Sequence, residues 1–300
     1  MGVVDLFLLV VLAALWGASF LFIRVASPML GPALLVDCRV LIAALSLVLY
    51  ALVLRQRVQL LARWKSYLVL GAINAAIPFC LISIAELRLS AALAAILNAT
   101  TPMFTAVVAR IWMGDALSVK KVCGLVLGIF GVLVAVGSDF SVHATSPVFW
   151  AGCSLLAALA YAFGGVYSAR KFVGVSPLDL AIGQQLAAGI WLFPFIFFHH
   201  IQTPLSASVV YSVLALAVLS TALGYLIYFR LMQRVGPVKT MSVTFLVPVF
   251  GLVWGAAFLH EQLSLRLLIA LGIILCSVAL VANTRFRRRK REAQVSSPSA

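Results

Sequence analysis

Long charge-free blocks dominate this chain. Residues 6–23, 66–85, 89–109, 122–138 and 267–284 contain no Asp, Glu, Lys or Arg. Residues 140–169 and 180–229 are free of them over lengths that hold more than one crossing. A helix needs roughly 20 apolar residues to cross a hydrocarbon core of about 30 Å. On that length the pattern predicts ten helical spans, at about 5–25, 33–54, 67–86, 91–112, 119–137, 147–169, 178–198, 208–229, 237–259 and 264–284. The first block is too long for the apolar stretch of a signal peptide and lacks a basic leader, so it is read as a span.

The blocks repeat. A shift of 146 carries Arg88 onto Arg234, Pro102 onto Pro248, Phe104 onto Phe250, Leu117 onto Leu263, Ser118 onto Ser264 and Asp115 onto Glu261. A shift of 145 carries Pro32 onto Pro177 and Trp16 onto Tyr161. Each copy holds five spans, an odd number, so the second copy enters the bilayer upside down. The expected fold is an all-α membrane protein of ten helices in two inverted halves, 1–140 and 141–284, followed by a basic tail, 285–300, whose end is disordered. Inverted repeats are the architecture of secondary transporters, with the substrate near the bilayer midplane between the halves.

Composition agrees. The chain is 64% hydrophobic and 10% charged, with mean hydropathy +1.15, against about 45–50% and about 25% in soluble domains. The net charge of +14 would suit a nucleic-acid binder, but the basic residues are not gathered into one surface. They sort by predicted side instead. Arg55, Arg57, Arg63, Lys65, Arg110, Lys120, Lys121, Arg170, Lys171, Arg230, Arg234, Lys239 and the run from Arg285 to Arg291 fall on one side; only Arg24, Arg88 and Arg266 fall on the other. The positive-inside rule puts the rich side, and both termini, in the cytoplasm. Expected partners are a small-molecule substrate and membrane lipid, with no nucleic acid.

Polar residues within spans are the cavity candidates, because polar groups facing lipid are costly. Ser19, Asn74, Asn98, Thr101, Gln184 and Thr244 are in this class, as are Thr100, Gln185, Ser220 and Thr221. Taken singly, each is as well explained by a bond between helices. Arg39 is the most deeply placed charge; it either snorkels to an interfacial pairing with Asp37 or faces the cavity and holds an anionic group. Trp16 and Tyr161, at matching places, are candidate walls, and packing is the alternative. Pro102 and Pro248 remove a helical hydrogen bond in both halves and are hinge candidates, together with Pro78 and its counterpart Gly224. Asp115 and Glu261 sit in matching turns before Ser118 and Ser264. They either support helix N-termini or act as gate contacts at opposite mouths.

Other chemistry is poorly served. Cys38, Cys80, Cys123, Cys153 and Cys276 lie in spans without a CxxC spacing, as free thiols. His143, His199, His200 and His260 lack metal-ligand spacing, and neither a metal nor a cofactor is expected. Gly124-x3-Gly128 and Gly251-x3-Gly255 permit close helix approach. Packing within one chain makes the protein a monomer, and a dimer face is the other use of such a stripe.

Trp16-Gly17-Ala18-Ser19-Phe20 resembles the Trp-Gly-x-x-Phe signature of EamA-type members of the drug/metabolite transporter superfamily. Arg39 resembles an arginine those proteins carry in span 2. Leu97 to Gly131 and Val247 to Ser277 look like the ends of two EamA repeats. Asp115 stands where the first copy usually has glutamate, and Ala270 and Ser277 replace glycines of the second. The resemblance implies a ten-helix inner-membrane carrier, often an exporter of amino acids or other small metabolites, working by alternating access and not as an enzyme. A lipid-modifying membrane enzyme built on the four histidines, and a passive channel, are the alternatives.

Overall fold

The computed structural model describes residues 2–114, 117–137, 147–197, 204–235, 240 and 243–282. Among them there is no strand; the chain is a bundle of helices. We number the crossings α1 (Val3–Leu30), α2 (Pro32–Val53), α3 (Leu61–Ala85), α4 (Ala91–Met113), α5 (Val119–Val136), α6 (Pro147–Lys171), α7 (Pro177–Ile196), α8 (Ala207–Val235), α9 (Val243–Leu259) and α10 (Leu265–Ala282). The first eight contain stretches long and apolar enough to span a membrane, and α9 and α10 are shorter apolar helices. Asp115 and the tail from residue 283 lie outside the described residues, as do His143, His199 and His200.

Local chemistry sets the helix ends. Gly31 takes φ 71°, a conformation closed to most L-residues, and turns α1 directly into Pro32 at the start of α2. Ser90, Ser118, Ser176 and Ser264 cap α4, α5, α7 and α10, their hydroxyls accepting from the backbone N–H three residues on. Leu45, Leu49, Leu52, Ile129, Leu133, Ile190 and Phe193 are exposed on the outside of the bundle. So much bare apolar surface is stable only against lipid.

Equivalent helices of the two halves meet antiparallel. In α5 and α10, Gly124 faces Val281 and Ser277, while Gly131 faces Ile274. At the far end of the same pair, Arg266 donates to the Gly137 carbonyl at 2.7 Å. Asp37 and Leu41 of α2 lie by Gly189 of α7, while Leu47 and Ala51 pack with Ala181 and Ile182. Two copies of one helix can run head to tail along each other only if the copies are inverted. The remaining packing is reciprocal: α1 packs on α9 as α6 packs on α4, and α3 packs on α6 and α7 as α8 packs on α1 and α2.

The glycine stripes are used within the chain. A Cβ at Gly124 would lie 2.9 Å from the Ser277 carbonyl oxygen, and the Ser277 hydroxyl donates to the Gly124 carbonyl at 2.6 Å. A Cβ at Gly251 would lie 2.6 Å from Ala95 Cβ, and one at Gly255 2.5 Å from Glu261 Oε2. At Gly17, of the Trp-Gly segment, it would lie 2.6 Å from Phe250 Cβ, which sets the close crossing of α1 and α9.

Two features depart from regular spans. α3 and α8 each contain a π-helical stretch, Ala72–Ala76 and Ala215–Leu223, and the 146 shift superposes them. Pro78 has no N–H for the Asn74 carbonyl, so the widened turn falls where the α-helical ladder is already broken. The expected bends at Pro102 and Pro248 differ from each other. α4 divides into Ala91–Asn98 and Thr101–Met113, with Pro102 in the first turn of the second piece, whereas Pro248 lies inside a continuous α9.

Candidate substrate site

The two π-helical stretches hold the polar centre of the bundle. Arg39 in α2 is 6% exposed and does not reach the surface. Its Nε donates to Thr221 Oγ1 of α8 at 2.9 Å, and the Thr221 hydroxyl donates to the Leu216 carbonyl at 2.8 Å. That second bond reaches a carbonyl five residues back, across the π-helical turn. The guanidinium carbon lies 3.6 Å from the centre of the Phe79 ring, a cation–π contact that removes one face of the charge from solvent. Interfacial pairing with Asp37 is not what the structure has: Asp37 turns toward α7, and among the described residues Asp5–Arg234 is the one ion pair.

A second bond mirrors the first. Asn74 Nδ2, in the π-helical turn of α3, donates to Gln184 Oε1 of α7 at 3.0 Å. Gln184 is the 145-shifted counterpart of Arg39, and Ser220, next to Thr221, is the 146-shifted counterpart of Asn74. One α2-to-α8 contact is therefore repeated as an α7-to-α3 contact, and both cross between the halves. Both polar atoms of the Gln185 side chain are buried without a partner among the described residues.

Aromatic rings close around these groups. Tyr161 meets Phe79 edge to face at 6.1 Å, and Trp16 meets Tyr225 at 6.2 Å and Tyr228 at 5.4 Å. Tyr225 meets the Gln184 side chain, and Tyr161 and Tyr225 lie within electrostatic range of Arg39. Gly224 makes room for Trp16, since a Cβ there would stand 2.7 Å from the indole nitrogen. Its place in the fold is that of a close approach beside a π-helical stretch.

Other candidates lie elsewhere or face inward on their own helix. The Ser19 hydroxyl donates to the Trp16 carbonyl at 2.5 Å, and that of Thr101 to the Asn98 carbonyl at 2.7 Å. Asn98 Oδ1 is buried without a partner among the described residues, at the break in α4. Thr244 is half-buried in the first turn of α9. Glu261 reaches across to the other half: its carboxylate accepts from the Ala91 N–H at 2.7 Å and the Ala92 N–H at 3.1 Å, at the N-terminus of α4 rather than of α10. Glu86, at the end of α3, is fully buried, with neither carboxylate oxygen bonded among the described residues and Arg24 donating to its backbone carbonyl. A groove of about 500 Å³ on α5, lined by Val122, Cys123, Val126, Leu127 and Phe130, is apart from this cluster.

Phe79 and the π-helical stretches escaped the sequence reading. The signal available for them was Pro78 opposite Gly224, two helix-weakening residues at one place in both copies.

Comparison with known proteins decides the family. The EamA-like transporter family matches residues 5–137 and again 147–283, most of the chain. The chain belongs to that family. An uncharacterized Bacillus subtilis transporter, YvbV, is 32% identical over 95% of this chain and 93% of its own length. A probable amino-acid metabolite efflux pump of Salmonella typhimurium is 28% identical over 97% and 98%. The uncharacterized inner membrane transporter YedA of Escherichia coli K12 is 25% identical over 89% and 87%. A solved crystal structure superposes with a TM-score of 0.65 at 16% identity, covering 93% of this chain and 96% of the other, which shows a shared fold. This EamA chain is accordingly a multi-pass membrane transporter, and the family is not an enzyme class.

Proposed function

We propose that this protein is an alternating-access carrier that exports amino acids or other small metabolites across the cytoplasmic membrane, with both termini in the cytoplasm. The halves are taken as 1–140 and 141–284, and the substrate sits between them against Trp16, Arg39, Asn74, Tyr161 and Gln184. The observation that carries the reading is the pair of mirrored cross-half bonds, Arg39 to Thr221 and Asn74 to Gln184. A group bound there touches both halves at once, so its binding energy couples to their relative motion. The π-helical turns of α3 and α8 and the break in α4 give the movable points, with Pro78, Gly224 and Pro102 beside them as hinges and Pro248 inside α9 as a fourth. The name of the Salmonella relative favours amino-acid metabolites and outward transport.

The test is counterflow. Purified protein in liposomes, loaded with one labelled metabolite and diluted into unlabelled candidates, should give saturable exchange that falls at least about tenfold in Trp16→Ala. Flux that never saturates identifies a channel and sinks the carrier reading.

A further inference from the structure

Among the described residues, no acid forms an ion pair with the positive charge of the polar centre. Burying an arginine in a membrane bundle is costly unless a partner offsets it. Arg39 is wholly inside, and what the described residues offer it is neutral: one hydroxyl and one aromatic face. Three of the five described acids are engaged elsewhere. Asp5 pairs with Arg234 at 2.7 Å, the Asp179 carboxylate at the start of α7 accepts from the Gln59 N–H, and Glu261 caps α4. Asp37 packs toward Gly189 on the α7 side, one of its oxygens buried without a partner. Glu86 is the acid electrostatically nearest Arg39, yet it makes no ion pair with it, and its carboxylate has no surface for a ligand to touch.

We infer that the site takes an organic anion, its carboxylate completing Arg39 and its apolar body lying among the rings of Trp16, Phe79, Tyr161 and Tyr225. The inference rests on the carrier reading above and narrows its substrates to the anionic small metabolites, away from zwitterionic amino acids. Thr221 fixes Nε and Phe79 covers one guanidinium face, so the fork is pre-oriented for a planar, two-oxygen group. An ammonium group would find Arg39 repelling it and, among the described residues, no accessible carboxylate to hold it. The site therefore favours a monoanion over an amine of the same shape, and over a zwitterion.

Four probes of matched shape decide it: 3-phenylpropionate, L-phenylalanine, 2-phenylethylamine and 3-phenylpropan-1-ol, titrated at pH 7 into the purified protein by calorimetry. The acid should bind at least about tenfold more tightly than the alcohol, the amine and phenylalanine, the size of one charge-assisted buried hydrogen bond. Arg39→Gln should lower the acid to the level of the alcohol and leave the alcohol unchanged, and Arg39→Lys should keep part of the preference. Equal or tighter binding of the amine or phenylalanine overturns the assignment, as does binding of none of the four or a preference that survives Arg39→Gln. Should Arg39→Gln fail to fold, the wild-type ranking decides alone. A reversed ranking leaves the carrier reading standing, because that reading fails on non-saturable flux and not on probe charge.

Discussion

A methyl group added at Gly224 has nowhere to go. Its carbon would stand 2.7 Å from Trp16 Nε1, well inside van der Waals contact, so the indole must shift away from Tyr225 and Tyr228. Overpacking of this kind costs about 1–3 kcal/mol. Gly224→Ala should therefore lower the thermal midpoint in detergent and blue- or red-shift the Trp16 emission. Trp16→Phe, which deletes the clashing nitrogen, should restore part of the lost stability when combined with it, a coupling readable in a double-mutant cycle. An unchanged midpoint in the single variant would show that Trp16 is not held against Gly224. At this scale the sequence exposes candidates but not partners. Arg39, Asn74 and Gln184 stand out as polar groups in apolar blocks, while Thr221 as the acceptor for Arg39 and Phe79 as its cover depend on helices 182 and 40 residues away meeting in space. Ser19 and Thr101 were equally visible as polar residues, and both satisfy themselves on the preceding turn.

The N-terminus of α4 is where one half holds an element of the other. Ser90 accepts from the Leu93 N–H, and the Glu261 carboxylate accepts from Ala91 and Ala92, so three donors that open the helix are satisfied. The positive end of the helix dipole adds to the attraction. Glu261→Ala leaves two N–H groups without their acceptor and should destabilise the protein by about 1–3 kcal/mol, with Glu261→Gln, which keeps one acceptor oxygen, falling between. Thermal unfolding in detergent micelles measures the order; equal loss in both variants would mean that the charge and not the hydrogen bonding matters. Helix positions themselves were legible because a charge-free block of about 20 residues has one economical use in lipid. The π-helical stretches were not, because a change from four-residue to five-residue hydrogen bonding leaves no periodic trace in blocks that are apolar on every side. The difference between Pro102 and Pro248 has the same origin: proline removes the donor in both copies, and the packing around each decides whether the helix parts or bends.

Inversion makes a statement about sides that composition alone does not. α5 lies antiparallel to α10 and α2 to α7, so residues related by the 146 shift must face opposite compartments. Arg88 and Arg234 are such a pair, identical in type and both exposed. An arginine is favoured on the cytoplasmic side of a span, so with the two on opposite sides one copy obeys the rule and the other breaks it. Arg88 is thus the exception a duplicated sequence keeps when its second copy is turned over. With the five native cysteines replaced, single Arg88→Cys and Arg234→Cys variants in intact cells should react with a membrane-impermeant maleimide at residue 88 only, and in inside-out vesicles at residue 234 only. Lys120→Cys and Arg170→Cys, one in each half, should follow residue 234. The Asp5 ion pair lost in Arg234→Cys lies on a half-exposed side chain and contributes little to stability, so the label reports topology rather than unfolding. Labelling of residues 88 and 234 from the same side would require both copies to sit the same way up, which an odd number of crossings per copy forbids.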